Sequence, residues 1–142
     1  MSADEQLLST MDLFAELESQ ELEKVAVLLH AMKVSEGEIL TQRGEAAHTF
    51  YIILSGNYMM SFQAGRAVTL HHRGEIMGWS TVVTPFEYTG TGVALTDGEV
   101  LCMPGADFQE LLQADAVVSE KIMKKINEIV AERRIYITGP PK

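Results

Sequence analysis

A single cysteine, Cys102, leaves the chain without any possible intrachain disulfide. Long hydrophobic runs are missing as well: no apolar stretch approaches the roughly 20 residues that cross a bilayer. The opening residues Met1-Ser2-Ala3-Asp4-Glu5 lack the basic and apolar parts of a secretory signal. Together these absences predict a cytoplasmic protein with no membrane partner. Basic residues are scarce, with 11 Lys and Arg against 20 Asp and Glu, a formal net charge of -9. Counterion release draws nucleic acid to basic surfaces, so this balance argues against DNA or RNA as the main partner. The basic residues gather late, at Lys121, Lys124, Lys125, Arg133 and Arg134, where they read as the solvated face of a helix. What remains is an ordinary globular composition, 46% hydrophobic and 22% charged over 142 residues, which predicts one domain over 1–142.

The pattern along the chain predicts helices over 12–32, β-structure over 33–103 and helices over 104–137. Asp12 to Leu17 reads as a helical turn. Ser19 is a candidate cap for a helix carrying Leu22, Val25, Ala26, Leu28 and Leu29 at helical spacing and ending near Met32. The usual capping box is incomplete, because Leu22 stands at its Glu position. From Lys33 to Met103, glycines recur about every ten residues between short runs such as Phe50-Tyr51-Ile52-Ile53-Leu54 and Tyr58-Met59-Met60-Ser61-Phe62. That rhythm predicts an all-β sandwich or barrel. Ser55-Gly56-Asn57 predicts a tight turn, and Gln63-Ala64-Gly65-Arg66 the tip of a hairpin. Pro104 suits a helix start, and a longer helix is expected over about Ala116 to Tyr136, ended by Gly139-Pro140-Pro141.

Four segments in order resemble the cyclic-nucleotide-binding domain of the CRP/FNR regulators. Val34-Ser35-Glu36-Gly37-Glu38-Ile39-Leu40-Thr41-Gln42-Arg43-Gly44-Glu45 is similar to its opening, and Phe50-Tyr51-Ile52-Ile53-Leu54-Ser55-Gly56 to its next strand and turn. Gly74-Glu75-Ile76-Met77-Gly78 is similar to the approach to its phosphate-binding cassette, and Val93-Ala94-Leu95-Thr96-Asp97-Gly98-Glu99-Val100-Leu101 to the strand pair that follows. The resemblance spans roughly residues 12–137. It implies an eight-stranded jelly-roll barrel, a double-stranded β-helix with flanking helices, whose final long helix pairs two protomers. It also implies a non-catalytic, small-molecule-sensing regulatory domain for signal transduction or transcription regulation.

The cassette itself departs from the family. There, backbone N–H groups at a short helix start face the cyclic phosphate, an Arg forks onto it, and a Glu accepts the ribose hydroxyl. Here Gly78 persists, but Trp79 stands where the family has Glu, and Tyr88 where it has Arg. Ser80 and Thr89 keep neutral donors. A hydrogen bond to a charged group contributes about 1.5–3 kcal/mol. Two such losses remove about 3–6 kcal/mol, roughly a hundred-fold to ten-thousand-fold in affinity. Cyclic AMP or cyclic GMP is therefore not expected to bind in the usual way. A flatter, less charged molecule stacked on Trp79 and Tyr88 remains open, as does a scaffold without ligand. Arg133 falls about where the family's last helix reaches the base, so it joins the candidate pocket with Gly78, Trp79, Ser80, Tyr88 and Thr89.

Other chemistries find less support. A cupin-like metal enzyme needs several converging His and carboxylate ligands, and His48 stands alone in a loop. His71 and His72 are adjacent near a strand end, where neighbours point to opposite faces, so one metal is not expected to take both. Haem would need only one axial His, and neither offers more than that. Cys102 reads as a buried strand position. In the last helix, Met123, Ile126, Val130 and Ile137 form one apolar stripe, and Val118, Ile122, Ile129 and Tyr136 a second. One stripe suffices for the domain's own core, so the other is expected to make a homodimer. The chain stops at Lys142, short of the about 60–80 residues a winged DNA reader needs. No helix-turn-helix domain and no direct DNA binding are expected of it.

Overall fold

In a computed structural model, the structure describes residues 3–139. Pro140 and Pro141, expected to end the last helix, lie outside the described residues. The order is α1 (Ala3–Ser9), a 3-10 turn (Asp12–Phe14), α2 (Ser19–Ala26), then eight strands: β1 (His30–Val34), β2 (Ile39–Thr41), β3 (Thr49–Ser55), β4 (Tyr58–Ser61), β5 (Ala67–Leu70), β6 (Ile76–Met77), β7 (Thr91–Ala94) and β8 (Gly98–Pro104). Two helices follow, α3 (Gly105–Ala114) and α4 (Ala116–Thr138). Among the described residues, no helix is long and apolar enough to cross a membrane.

The strands form two four-stranded antiparallel sheets, in the orders β1-β8-β3-β6 and β2-β7-β4-β5. This corrects the expected jelly-roll barrel: no ladder between the named strands joins one sheet to the other, so the barrel does not close. The edge strands explain it. β2 has three residues and a register shift against β7, and β6 has two residues, too few to carry ladders on both sides. Glycine spacing counts strands but says nothing about which edges meet. Consecutive strand residues face opposite sides, yet Phe50, Tyr51, Ile52 and Ile53 are all buried. Both faces of β3 are therefore covered. On one of them Phe50 packs on Phe108 of α3, ring centroids 4.8 Å apart.

The helical boundaries also shift. Residues 30–32, expected at the end of a helix, begin β1 and pair with β8, His30 opposite Cys102. α2 is capped at Glu18 rather than Ser19: the Glu18 N–H donates to Glu21 Oε1 at 2.9 Å. Gly56 takes the positive φ its turn needs, 96°. The tip after β4 is a 3-10 turn over Gln63–Gly65.

α4 is held along its length. Asp115 accepts from the Val117 and Val118 N–H groups at its start. Val118, Ile122 and Ile126 are fully buried. Met123, Ile129, Val130, Tyr136 and Ile137 are half-buried against the same core, so both apolar stripes already serve this chain. At its far end Arg66, from the β4–β5 connection, donates Nε to the Tyr136 carbonyl at 2.9 Å and Nη2 to the Ile137 carbonyl at 3.0 Å. Those carbonyls belong to the last turn, where no intrahelical donor reaches them.

The basic side of α4 is not simply solvated. Lys121 pairs with Glu21 at 2.6 Å, Lys124 with Glu16 at 3.1 Å and Lys125 with Asp12 at 3.4 Å, while Lys24 of α2 pairs with Asp115 at 2.6 Å. The Glu18 backbone N–H and Lys121 hold the Glu21 carboxyl below its ordinary value of 4.5; Lys24 and the Val118 N–H do the same for Asp115, ordinarily 3.8. A carboxyl lowered by folding stabilises above its unfolded pKa and loses that contribution as pH falls through its folded pKa. Thermal melts should therefore show stability falling as pH drops below these ordinary values, with a shallower fall in the Lys24→Met, Lys121→Met double variant. An identical acid profile in both proteins would contradict the assignment.

Candidate functional site

The site begins at the end of β6, where the chain must turn under β3. Gly78 makes that turn at φ 87°, a conformation costly to residues with a Cβ. A Cβ there would also lie 2.7 Å from the Thr49 carbonyl oxygen. The following 3-10 turn, Trp79–Thr81, is closed by the Thr81 N–H and hydroxyl, both donating to the Gly78 carbonyl, at 3.1 and 2.9 Å. On the facing side, segment 86–88 is tied to 44–47 by backbone bonds. Among them are Tyr88 N–H to the Glu45 carbonyl and Gly44 N–H to the Tyr88 carbonyl, each 2.9 Å.

These two segments bring Gly78, Trp79, Ser80, Tyr88 and Thr89 together around one cavity, with Met60 and Gly90. The cavity holds about 10 Å³, at most about one water. Trp79 is 3% exposed and Tyr88 7%, so neither ring offers a free face for stacking. The Tyr88 hydroxyl is engaged on both sides: it donates to the Thr49 carbonyl at 2.8 Å and accepts the Thr49 N–H at 2.9 Å. Burial pushes its pKa up, so it stays a neutral donor. Behind it, the Thr41 hydroxyl donates to the Gly90 carbonyl and accepts the Gly92 N–H, which closes the wall with neutral groups.

Arg133 is not in that small cavity. It reaches from α4 over the Trp79 ring, with its guanidinium carbon 5.2 Å from the ring centroid, and Nη1 donates to the Ile76 carbonyl at 2.7 Å. It is 7% exposed. Burial pulls its pKa below the usual value, opposed by the charges of Glu75 and Glu132. It thus takes a position expected for a ligand contact but bonds the protein's own backbone, whereas Arg134 is exposed. It also lines a separate cleft of about 230 Å³ with Asp12, Arg73, Glu75 and Ile129. Sequence reasoning missed Thr49, Ile76 and Arg66, because all three act through backbone groups or across 39 or more residues.

Three other sequence readings concern histidines and the cysteine. His71 and His72 do not diverge: both lie past the end of β5, in a turn, with ring centroids 4.1 Å apart. Cys102 lies in β8 and is half-buried, and burial pushes its thiol up, so it is not an activated thiol. His48 is an exposed loop residue.

Known proteins are similar to this chain in sequence and fold. A candidate potassium channel protein of Rhodopseudomonas palustris is 28% identical over 130 residues, covering 89% of this chain but only 30% of that protein. A candidate cyclic nucleotide-binding protein of Geobacter metallireducens, 21% identical, superposes with a TM-score of 0.82 over 94% of this chain and 98% of its own. The regulatory subunit of a cAMP-independent protein kinase A from Trypanosoma brucei, 17% identical, does so at 0.74 over 89% of this chain and 45% of its own. The family model for the cyclic nucleotide-binding domain matches residues 31–115, more than half of the sequence, and with that match the chain belongs to the cyclic nucleotide-binding domain family.

Proposed function

We propose that this chain is a regulatory domain whose nucleotide cleft is filled by its own side chains, and which acts through protein contacts rather than by taking up cyclic AMP or cyclic GMP. One observation carries the reading. The cavity bounded by Gly78, Trp79, Ser80, Tyr88 and Thr89 holds about 10 Å³, where small-molecule pockets hold about 300 Å³ or more. Trp79 cannot leave without breaking its contact with Arg133. The cleft also lacks a charge to receive a phosphate, since Tyr88 is neutral and its hydroxyl is spent on Thr49. The Trypanosoma brucei relative is by description the regulatory subunit of a cAMP-independent kinase, and regulatory work without cyclic AMP is compatible with that likeness. Calorimetric titration of the full chain with cyclic AMP and cyclic GMP should give no binding heat at submillimolar ligand. Saturable binding in the micromolar range or tighter would overturn the reading.

The output surface in this reading is the outer face of α4. Val117 and Ile135 are exposed there, 55% and 50%. They lie 18 residues apart, five whole helical turns, and therefore share one face. Burying them against a second α4 is the favourable use of that face, and it agrees with the homodimer expected from the resemblance. Light scattering at micromolar concentration should give twice the 15.7 kDa of one chain, and Ile135→Glu should return the single-chain mass. A 15.7 kDa particle in the unmodified protein would remove the dimer from the account.

A further inference from the structure

We propose that His71, His72 and Glu75 form a binding site for one divalent transition-metal ion of the zinc, cobalt and nickel type. One donor atom from each of the three residues lies within 4.8 Å of the other two. Metal–nitrogen distances of about 2.0–2.1 Å in a tetrahedral site put ligand atoms about 3.3 Å apart. The set is therefore open by at most about 1.5 Å, which side-chain rotation closes. Both imidazoles are exposed, and the ring each one rests on is the other imidazole of the set.

The backbone prepares this cluster. β5 ends at Leu70, and the next residues leave the strand alternation that would send adjacent side chains to opposite faces. The His71 and His72 rings instead stand 4.1 Å apart at 42°. Glu75 is drawn beneath them because its Oε1 accepts the N–H groups of His71, at 3.0 Å, and His72, at 2.8 Å. Both bonds fall on one oxygen and leave Oε2 to a metal. The Glu75 N–H returns to the His72 carbonyl at 3.1 Å, and the Gly74 N–H to the Ile53 carbonyl at 2.8 Å. The five-residue turn is thus closed on itself and anchored to β3.

The chemistry of the donors selects the ion. Two imidazoles and one carboxylate suit zinc, cobalt, nickel and copper, and offer too few oxygens for calcium or magnesium. Three protein ligands leave a fourth position to water or to a partner's side chain.

The test is calorimetry of the tag-free full chain with zinc chloride, together with the visible absorption of added cobalt(II). One ion per chain is expected, with a tetrahedral cobalt spectrum, and a thousand-fold excess of magnesium should not displace it. His71→Ala with His72→Ala should abolish binding. Glu75→Gln, which keeps the Oε1 acceptor and hence the turn, should weaken it at least ten-fold. His30→Ala with His48→Ala should leave it unchanged. The absence of binding in the unmodified chain would overturn the proposal. So would binding that survives loss of His71 and His72, or that disappears with His30 and His48.

Discussion

The Arg133 guanidinium joins the Trp79 cleft to the last helix. A buried cation is costly unless its donors are satisfied and its charge is balanced. Here the Ile76 carbonyl takes Nη1 at 2.7 Å, the Trp79 ring lies beneath it at 5.2 Å, and Glu75 and Glu132 supply opposing charge. Each partner belongs to a different piece of architecture: Ile76 to an edge strand, Trp79 to the turn that closes the cleft, Glu132 to α4 itself. If Trp79 moves, Arg133 loses the aromatic face that offsets its burial; if α4 moves, Trp79 loses its cover. The cleft and the last helix are therefore one mechanical unit.

That unit resembles a ligand-bound state made from the chain's own atoms. In the family logic an anionic ring sits against backbone N–H groups and an arginine. Here Trp79 and Tyr88 line a cavity of about 10 Å³, the Tyr88 hydroxyl bonds the Thr49 backbone, and Arg133 from α4 lies over the Trp79 ring. The remaining fastenings of α4 all favour a fixed position: the Asp115 cap, three lysine pairs to the N-terminal segment, and Arg66 on the final carbonyls. A regulatory signal in such a domain would be a change in how often these fastenings release, a shift between two populated positions of α4.

Much of this was legible before any coordinates. Glycine spacing and short β-branched or aromatic runs carried the strands, and apolar periodicity carried α4. The resemblance named Gly78, Trp79, Ser80, Tyr88 and Thr89 as one group, and these five do line one cavity. What escaped was long-range or set by backbone detail. Leu28 and Leu29 continue a helical period, yet β8 captures His30 to Val34 as an edge strand, because pairing overrides local propensity. Barrel closure depends on edge strands of two and three residues, which no periodicity reports. The lysines of α4 looked solvated because their acidic partners lie about 100 residues away. His71 and His72 were assigned opposite faces by extending a strand one residue too far.

The most direct test uses the fact that Trp79 is the only tryptophan. Its fluorescence reports the cleft without any label, through its access to a charged quencher. Iodide quenching of the folded protein should be several-fold weaker than that of the urea-unfolded chain, and excess cyclic AMP should leave it unchanged. A folded protein quenched as readily as the unfolded one, or one whose Trp79 becomes exposed when cyclic AMP is added, would show that the indole is not the cleft's resident and would contradict the account.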